Sequence, residues 1–194
     1  MNKLSYELTP GRVFLVRGTG EDWRGRVLAW CERLFGLRDL EFAYQEFGKP
    51  YFKNHPELAF SVSHTRTALC AAFCVQEIGL DVEFRDRRIR ALSLAGRYFH
   101  PPETGYLRGL AEDAHAAAFL SLWTAKEACV KLTGEGIYRG LPQCHVEPSS
   151  APANAVQNGR PAFLRQQVWA DGLIATVAAW SEFQLECLEQ SFDC

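Results

Sequence analysis

The chain has 194 residues, 47% of them hydrophobic, and a formal net charge of −2. That is enough apolar material for a core, in one compact unit or two small, closely packed lobes, and it excludes a disordered chain. The slight acidic balance also excludes a general nucleic-acid binder, which carries a basic excess over its whole domain, so any anion site must be local.

Met1-Asn2-Lys3-Leu4-Ser5 lacks an apolar signal region, and no apolar run approaches the roughly 20 residues of a membrane span, so the cytoplasm is the expected compartment. Residues 12–17 read as a strand, followed by a helix from Asp22, its candidate cap, to Phe35, with Leu28, Cys31 and Leu34 as its apolar stripe. Residues 41–47 alternate as a half-buried strand, and Gly48-Lys49-Pro50 makes a stiff turn whose lysine is either plain surface or a phosphate contact. Residues 60–65 form a strand ending in the Ser63-His64 turn. Residues 68–75 and 78–84 then read as a hairpin across Gln76-Glu77. In its second strand Leu80, Val82 and Phe84 point one way while Gly79, Asp81 and Glu83 share the other face.

Residues 85–90 (RDRRIR) are a dense charged cluster without a core pattern and the best boundary between halves. A short helix breaks near Pro101-Pro102, and Pro102 suits the start of the next. The central run, Glu112 to Thr133, is helical and stops at Gly134, with Ala118, Leu122, Ala125, Cys129 and Leu132 as its core-facing stripe. Beyond it come a flexible Gly134-Glu135-Gly136 loop, a strand over 141–146, a loop over 148–161, and a hairpin of 163–170 with 173–180 around Asp171-Gly172. The seven cysteines form no CxxC pair and no zinc-spaced cluster, so they read as reduced core residues. Residues 67–75 faintly echo 172–180, which makes a pseudo-duplicated α+β architecture plausible.

Trp123, Glu127 and Lys131 project from the side of the central helix opposite its stripe. A Glu-Lys pair at this spacing is ordinarily solvated and contributes about 0.2–0.5 kcal/mol. Here Phe119, Trp123 and Val130 surround Glu127, and a carboxylate held among apolar groups is a candidate metal ligand or general base. Together with Asp81 and Glu83 it makes an oxygen-rich set with too few ligands to cage calcium, better suited to magnesium shared with a phosphate. Lys49, the Ser63-His64 turn, Lys126 and Lys131 would suit a pyrophosphate beside such an ion.

Gly48-Lys49-Pro50, Phe60-Ser61-Val62-Ser63-His64, Ile78-Gly79-Leu80-Asp81-Val82-Glu83, Arg97-Tyr98-Phe99 with Glu103, and Trp123-Thr124-Ala125-Lys126-Glu127 with Lys131 and Gly134-Glu135-Gly136 occur in this order. As a set, over roughly Glu41 to Leu141, they resemble the 4′-phosphopantetheinyl transferases of the surfactin-synthetase-activating type. The resemblance implies an α+β monomer of two pseudo-symmetric α/β lobes, here residues 1–87 and 88–194, with the active site at their junction. It implies transfer of 4′-phosphopantetheine from coenzyme A to a serine of an apo acyl- or peptidyl-carrier protein of fatty-acid, polyketide or nonribosomal peptide synthesis, releasing adenosine 3′,5′-bisphosphate. No nucleic-acid or membrane partner is expected.

By the same resemblance Asp81, Glu83 and Glu127 would hold Mg²⁺, with Mn²⁺ an alternative, and Asp81, Glu127 and Lys131 would be catalytic. Lys131 would contact the pyrophosphate, while Lys49, Ser63 and His64, with Lys126, would hold coenzyme A phosphates. The base is open between Glu127, Glu103 and a metal-bound water. The basic segment that many members carry ahead of the first helix is lacking, which leaves Arg24 as the candidate for the adenine and 3′-phosphate end. The arginines of 85–90, with Leu107 and Leu110, would form a docking surface for an acidic carrier. The competing readings are a metal-dependent diphosphate hydrolase, in which water replaces the serine, and a carrier-binding module without turnover.

Overall fold

The computed structural model describes residues 6–149 and 151–189. Strand β1 (Arg12–Gly18) leads into helix α1 (Trp23–Phe35). Asp22 caps this helix by accepting from the Gly25 N–H, and Gly36 closes it in the left-handed conformation. The 41–47 run contributes only β2 (Phe42–Tyr44), which pairs with β3 (Pro50–Phe52) because the Gln45 N–H bonds back to the Lys49 carbonyl. The segment between them is the tip of a small hairpin.

Strands β4 (Ala59–Thr65) and β5 (Ala68–Cys74) pair with each other, and β5 pairs on its other edge with β1. The expected hairpin between 68–75 and 78–84 is therefore not formed. With both edges of β5 occupied, β6 (Ile78–Phe84) has no ladder to join there and pairs instead with β10 (Leu173–Ala179). Three helices follow, α2 (Ala91–Tyr98), α3 (Pro101–Arg108) and α4 (His115–Thr133), the last closed by Gly134 at a φ of 74°. A single turn α5 (Ile137–Gly140) precedes β7 (Cys144–Val146), β8 (Asn154–Gln157), β9 (Arg160–Val168) and, after β10, β11 (Gln184–Glu189).

The 141–146 strand shortens to β7 because Leu141–Gln143 is a 3-10 turn. The expected 148–161 loop contains β8, turned back onto β9 through Asn158 and Gly159 at φ of 52° and 75°. The hairpin around Asp171-Gly172 forms as expected. Strand β11, which the sequence reading lacked, lies parallel to β1. The two sheets run β11-β1-β5-β4 and β6-β10-β9-β8-β7, so each takes strands from both sides of the 87/88 position.

Three core clusters order the layers. One joins α1 to the four-stranded sheet, a second fills the space between the sheets, and the third joins the five-stranded sheet to α2, α3 and α4. Leu107 is fully buried in the third, so it cannot belong to a docking surface. Cys31, Cys70, Cys74, Cys129 and Cys144 are buried free thiols while Cys187 is exposed, and burial pushes the Cys31, Cys70 and Cys74 thiols up to about 12. Cys194 and Met1-Asn2-Lys3-Leu4-Ser5 lie outside the described residues. No helix among the described residues is long and apolar enough to cross a membrane.

Helix α4 lies directly on β6, and Gly79 permits the approach. A Cβ there would overlap the Ala128 carbonyl oxygen and the Leu132 nitrogen, both backbone atoms that no rotamer change can move. Gly79→Ala is expected to cost about 2–3 kcal/mol of unfolding free energy in urea titrations.

Candidate active site

The two sheets meet where β4 runs beside β6, and every second residue of β4 sends a hydroxyl across. The Ser61 Oγ accepts from the Leu80 N–H at 3.0 Å, the Ser63 Oγ donates to Asp81 Oδ1 at 2.9 Å, and the Thr65 Oγ1 donates to Glu83 Oε2 at 3.5 Å. From α4, two turns beyond Trp123, the Lys131 Nζ reaches Asp81 Oδ1 at 2.7 Å and Ser63 Oγ at 2.9 Å. A buried carboxylate is thus held by one ammonium and one hydroxyl, all from residues singled out in the sequence. Ser61 and Thr65 were not, although their alternation with Ser63 was visible.

Glu127 lies one turn before Lys131. Burial first, then the charge of Asp81, pushes its carboxyl up to about 7; Glu83 adds to the rise, while Lys131 and Arg87 oppose it. Glu83 is itself raised, mainly by burial, against the pull of Arg87, whose guanidinium is paired with it. Three carboxylates and two cations therefore act on one another across the α4–β6 contact.

Among the described residues, no three His, Cys, Asp or Glu side chains stand together as a ready metal cluster. Of the expected Asp81, Glu83 and Glu127 set, Asp81 is turned onto Lys131 and Ser63, and Glu83 onto Arg87. Crowded carboxylates take up the nearest positive groups. The donor set still suits a hard divalent cation, since it supplies carboxylate oxygens and Glu127 lies within the electrostatic reach of both Asp81 and Glu83.

A cleft of about 260 Å³ opens beside this cluster, lined by Glu127, Val130 and Lys131 of α4, by Lys49 and Pro50, and by Val62 and Ile137. Lys49 borders it, but its Nζ donates to the Leu132 carbonyl at 2.7 Å, holding the hairpin tip against the C-terminal end of α4. His64 is exposed and, next to Ser63 along β4, lies on the opposite face of the strand. Arg24 is exposed and donates to the Tyr44 hydroxyl at 2.9 Å and 2.7 Å, while Tyr44 is paired across the hairpin with Pro50 of the cleft wall.

Two expectations fail outright. Lys126 is fully buried and paired with Glu103 at 3.0 Å, and it does not line the cleft. Glu103, also buried, further accepts from the His100 and Val146 N–H groups and is not placed to act as a base in the cleft. The burial of Lys126 was legible: residue 126 falls between Leu122 and Cys129 on the core stripe.

The raised Glu127 carries a stability prediction for metal-free protein. The unfolded chain ionises this carboxyl near 4.5, so between pH 4.5 and about 7 the folded state holds the extra proton and stability falls as pH rises. Glu127→Gln is expected to match the parent near pH 4 and to exceed it by roughly 2 kcal/mol at pH 8, a figure reduced for the partial exposure of the group. Urea unfolding in EDTA at the two pH values measures this difference.

A family model described as the 4′-phosphopantetheinyl transferase superfamily matches residues 77–178. The chain is 32% identical over 143 residues to the 4′-phosphopantetheinyl transferase HetI of Nostoc sp., covering 72% of this chain and 60% of that protein. It is 34% identical over 99 residues to the 4′-phosphopantetheinyl transferase Sfp of Bacillus subtilis, covering 51% and 43%. It is 36% identical over 109 residues to a protein named as a 4′-phosphopantetheinyl transferase in Synechocystis sp., covering 55% and 44%. The matched parts thus span less than two thirds of each relative. The matched segment runs from β6 through α4 to β10 and so contains Asp81, Glu83, Glu127 and Lys131. The chain belongs to the 4′-phosphopantetheinyl transferase superfamily.

Proposed function

We propose that the chain transfers 4′-phosphopantetheine from coenzyme A to a serine hydroxyl of an apo acyl- or peptidyl-carrier protein. The observation that carries this is the Asp81–Lys131–Ser63 cluster beside Glu127 at the wall of a cleft. In the reaction the serine oxygen bonds to the phosphorus of the phosphopantetheine arm. The bridging P–O bond breaks, and adenosine 3′,5′-bisphosphate leaves with the bond's electrons. Little covalent chemistry falls to the protein, so positioning and charge neutralisation carry the rate.

Lys131, partly exposed at the cleft, supplies a fixed positive charge for the diphosphate. Glu127, at the cleft wall, is placed to take up the serine proton, and the burial of Glu103 leaves Glu127 as the better base. Asp81, Glu83 and Glu127 would hold a Mg²⁺ or Mn²⁺ ion, which when bound neutralises diphosphate charge. Lys49, Ser63 and the exposed His64 and Arg24 are the groups we assign to the remaining phosphates. Lys126 is omitted from that set.

The same proposal takes in the surfactin-synthetase-activating type, a cytoplasmic monomer, and two pseudo-symmetric lobes over 1–87 and 88–194 with the site at their junction. The echo between 67–75 and 172–180 supports the last, because it falls on β5 and β10, both buried along their whole length and paired on both edges. The test is mass spectrometry of apo-carrier proteins after incubation with coenzyme A and Mg²⁺. Gain of the phosphopantetheine mass is expected; hydrolysis of coenzyme A without a carrier would favour the diphosphate hydrolase.

A further inference from the structure

Of the two carboxylates that β6 brings to the site, Glu83 is held less securely than Asp81. Asp81 is buried and tied to two groups from different elements, whereas the main partner of Glu83 reaches in from solvent. The Arg87 side chain is 55% exposed and that of Glu83 13%. Arg87 belongs to the charged loop after β6, where Arg85, Asp86 and Arg88 are also exposed, and Asp86 is paired with Arg66 from the β4–β5 turn. The loop is thus anchored through Asp86, and the Arg87 guanidinium can swing without unfolding it. The charge balance points the same way. Asp81, Glu83 and Glu127 against Lys131 and Arg87 leave a net charge of about −1 when all are ionised, and a bound divalent cation reverses that sign with Arg87 still present.

We propose that Arg87 is a transferable counter-ion: it occupies Glu83 in the resting chain, yields that carboxylate to a divalent cation, and then pairs with the diphosphate of the substrate. A guanidinium suits both duties, since its planar fork matches carboxylate and phosphate oxygens alike. The inference rests on the site reading above and adds a substrate-binding residue to it.

The test is Arg87→Ala with two readouts that move in opposite directions. Mn²⁺ affinity without substrate, followed by electron paramagnetic resonance, is expected to rise about fivefold as the competitor for Glu83 is removed. Coenzyme A affinity in saturating Mn²⁺, followed by calorimetry, is expected to fall roughly tenfold. Arg88→Ala, which removes the same charge one residue along the loop, is expected to change neither by more than about twofold. Equal Mn²⁺ affinity in the parent and Arg87→Ala, or equal shifts in the two variants, would overturn the proposal while leaving the site reading intact. Loss of both affinities in Arg87→Ala would mark a purely structural role and also overturn it. Absence of Mn²⁺ binding by the parent would overturn the carboxylate site and the counter-ion together.

Discussion

Asp81→Asn is expected to lower the rate of phosphopantetheine transfer by about a hundredfold to a thousandfold while leaving the chain folded. The amide keeps the size of the carboxylate and can still accept from the Lys131 Nζ and the Ser63 Oγ, so the α4–β4–β6 contact survives. What disappears is the charge that sets the site: a proposed cation ligand, the counter-charge of Lys131, and the largest electrostatic cause of the raised Glu127 carboxyl. In metal-free protein the Glu127 carboxyl should therefore titrate lower. Mass spectrometry of the apo-carrier gives the rate, and far-ultraviolet circular dichroism verifies the fold. A variant that transfers at the parental rate would remove Asp81 from the machinery.

The second large effect is on stability. Lys126→Met should cost about 3–5 kcal/mol, because it strands the Glu103 carboxylate in a site excluded from water. Glu103 joins three elements: it caps α3 through the His100 N–H, meets α4 through Lys126, and accepts from the Val146 N–H at the end of β7. Glu103→Gln combined with Lys126→Met should recover part of the loss, since no charge is then left without a partner, although the single amide oxygen can accept from only one of the His100 and Val146 N–H groups. Urea unfolding of both single variants and the double variant measures the coupling. Transfer per folded molecule should change little in Lys126→Met, because that side chain lies away from the cleft. A selective loss of coenzyme A affinity would restore the phosphate-contact role expected from the sequence.

Position 126 also marks where sequence reading succeeded and where it stopped. Periodicity located α4, its end at Gly134, and the face bearing Glu127 and Lys131, because those features follow from local helix geometry. The alternation of Asp81 and Glu83 was likewise legible and brought two of the site residues onto one face of β6. Lys126 was misread because its charge was weighed above its place between Leu122 and Cys129 on the apolar stripe. The pairing of β6 with β10 lies between residues about ninety apart, and no local signal chooses it over a hairpin with β5. Only the demand of β1 for the other edge of β5 decides the matter. The Asn158-Gly159 turn was a signal within reach, passed over because its surroundings were rich in Pro, Ala and Asn.

The pairing of β1 with β11 has a consequence for biosynthesis. Arg12 lies opposite Gln184, so one edge of the four-stranded sheet receives its partner only when nearly all of the described chain has been made. At 5–20 residues per second, roughly 10–35 s separate the two on a translating ribosome. Through that interval the nascent polypeptide displays an unpaired row of amide and carbonyl groups on an otherwise apolar strand, open to mispairing with neighbours on the same messenger. Closure of this sheet is therefore a late event, and yield in the cell should respond more to elongation speed and chaperone supply than to changes confined to the catalytic cleft.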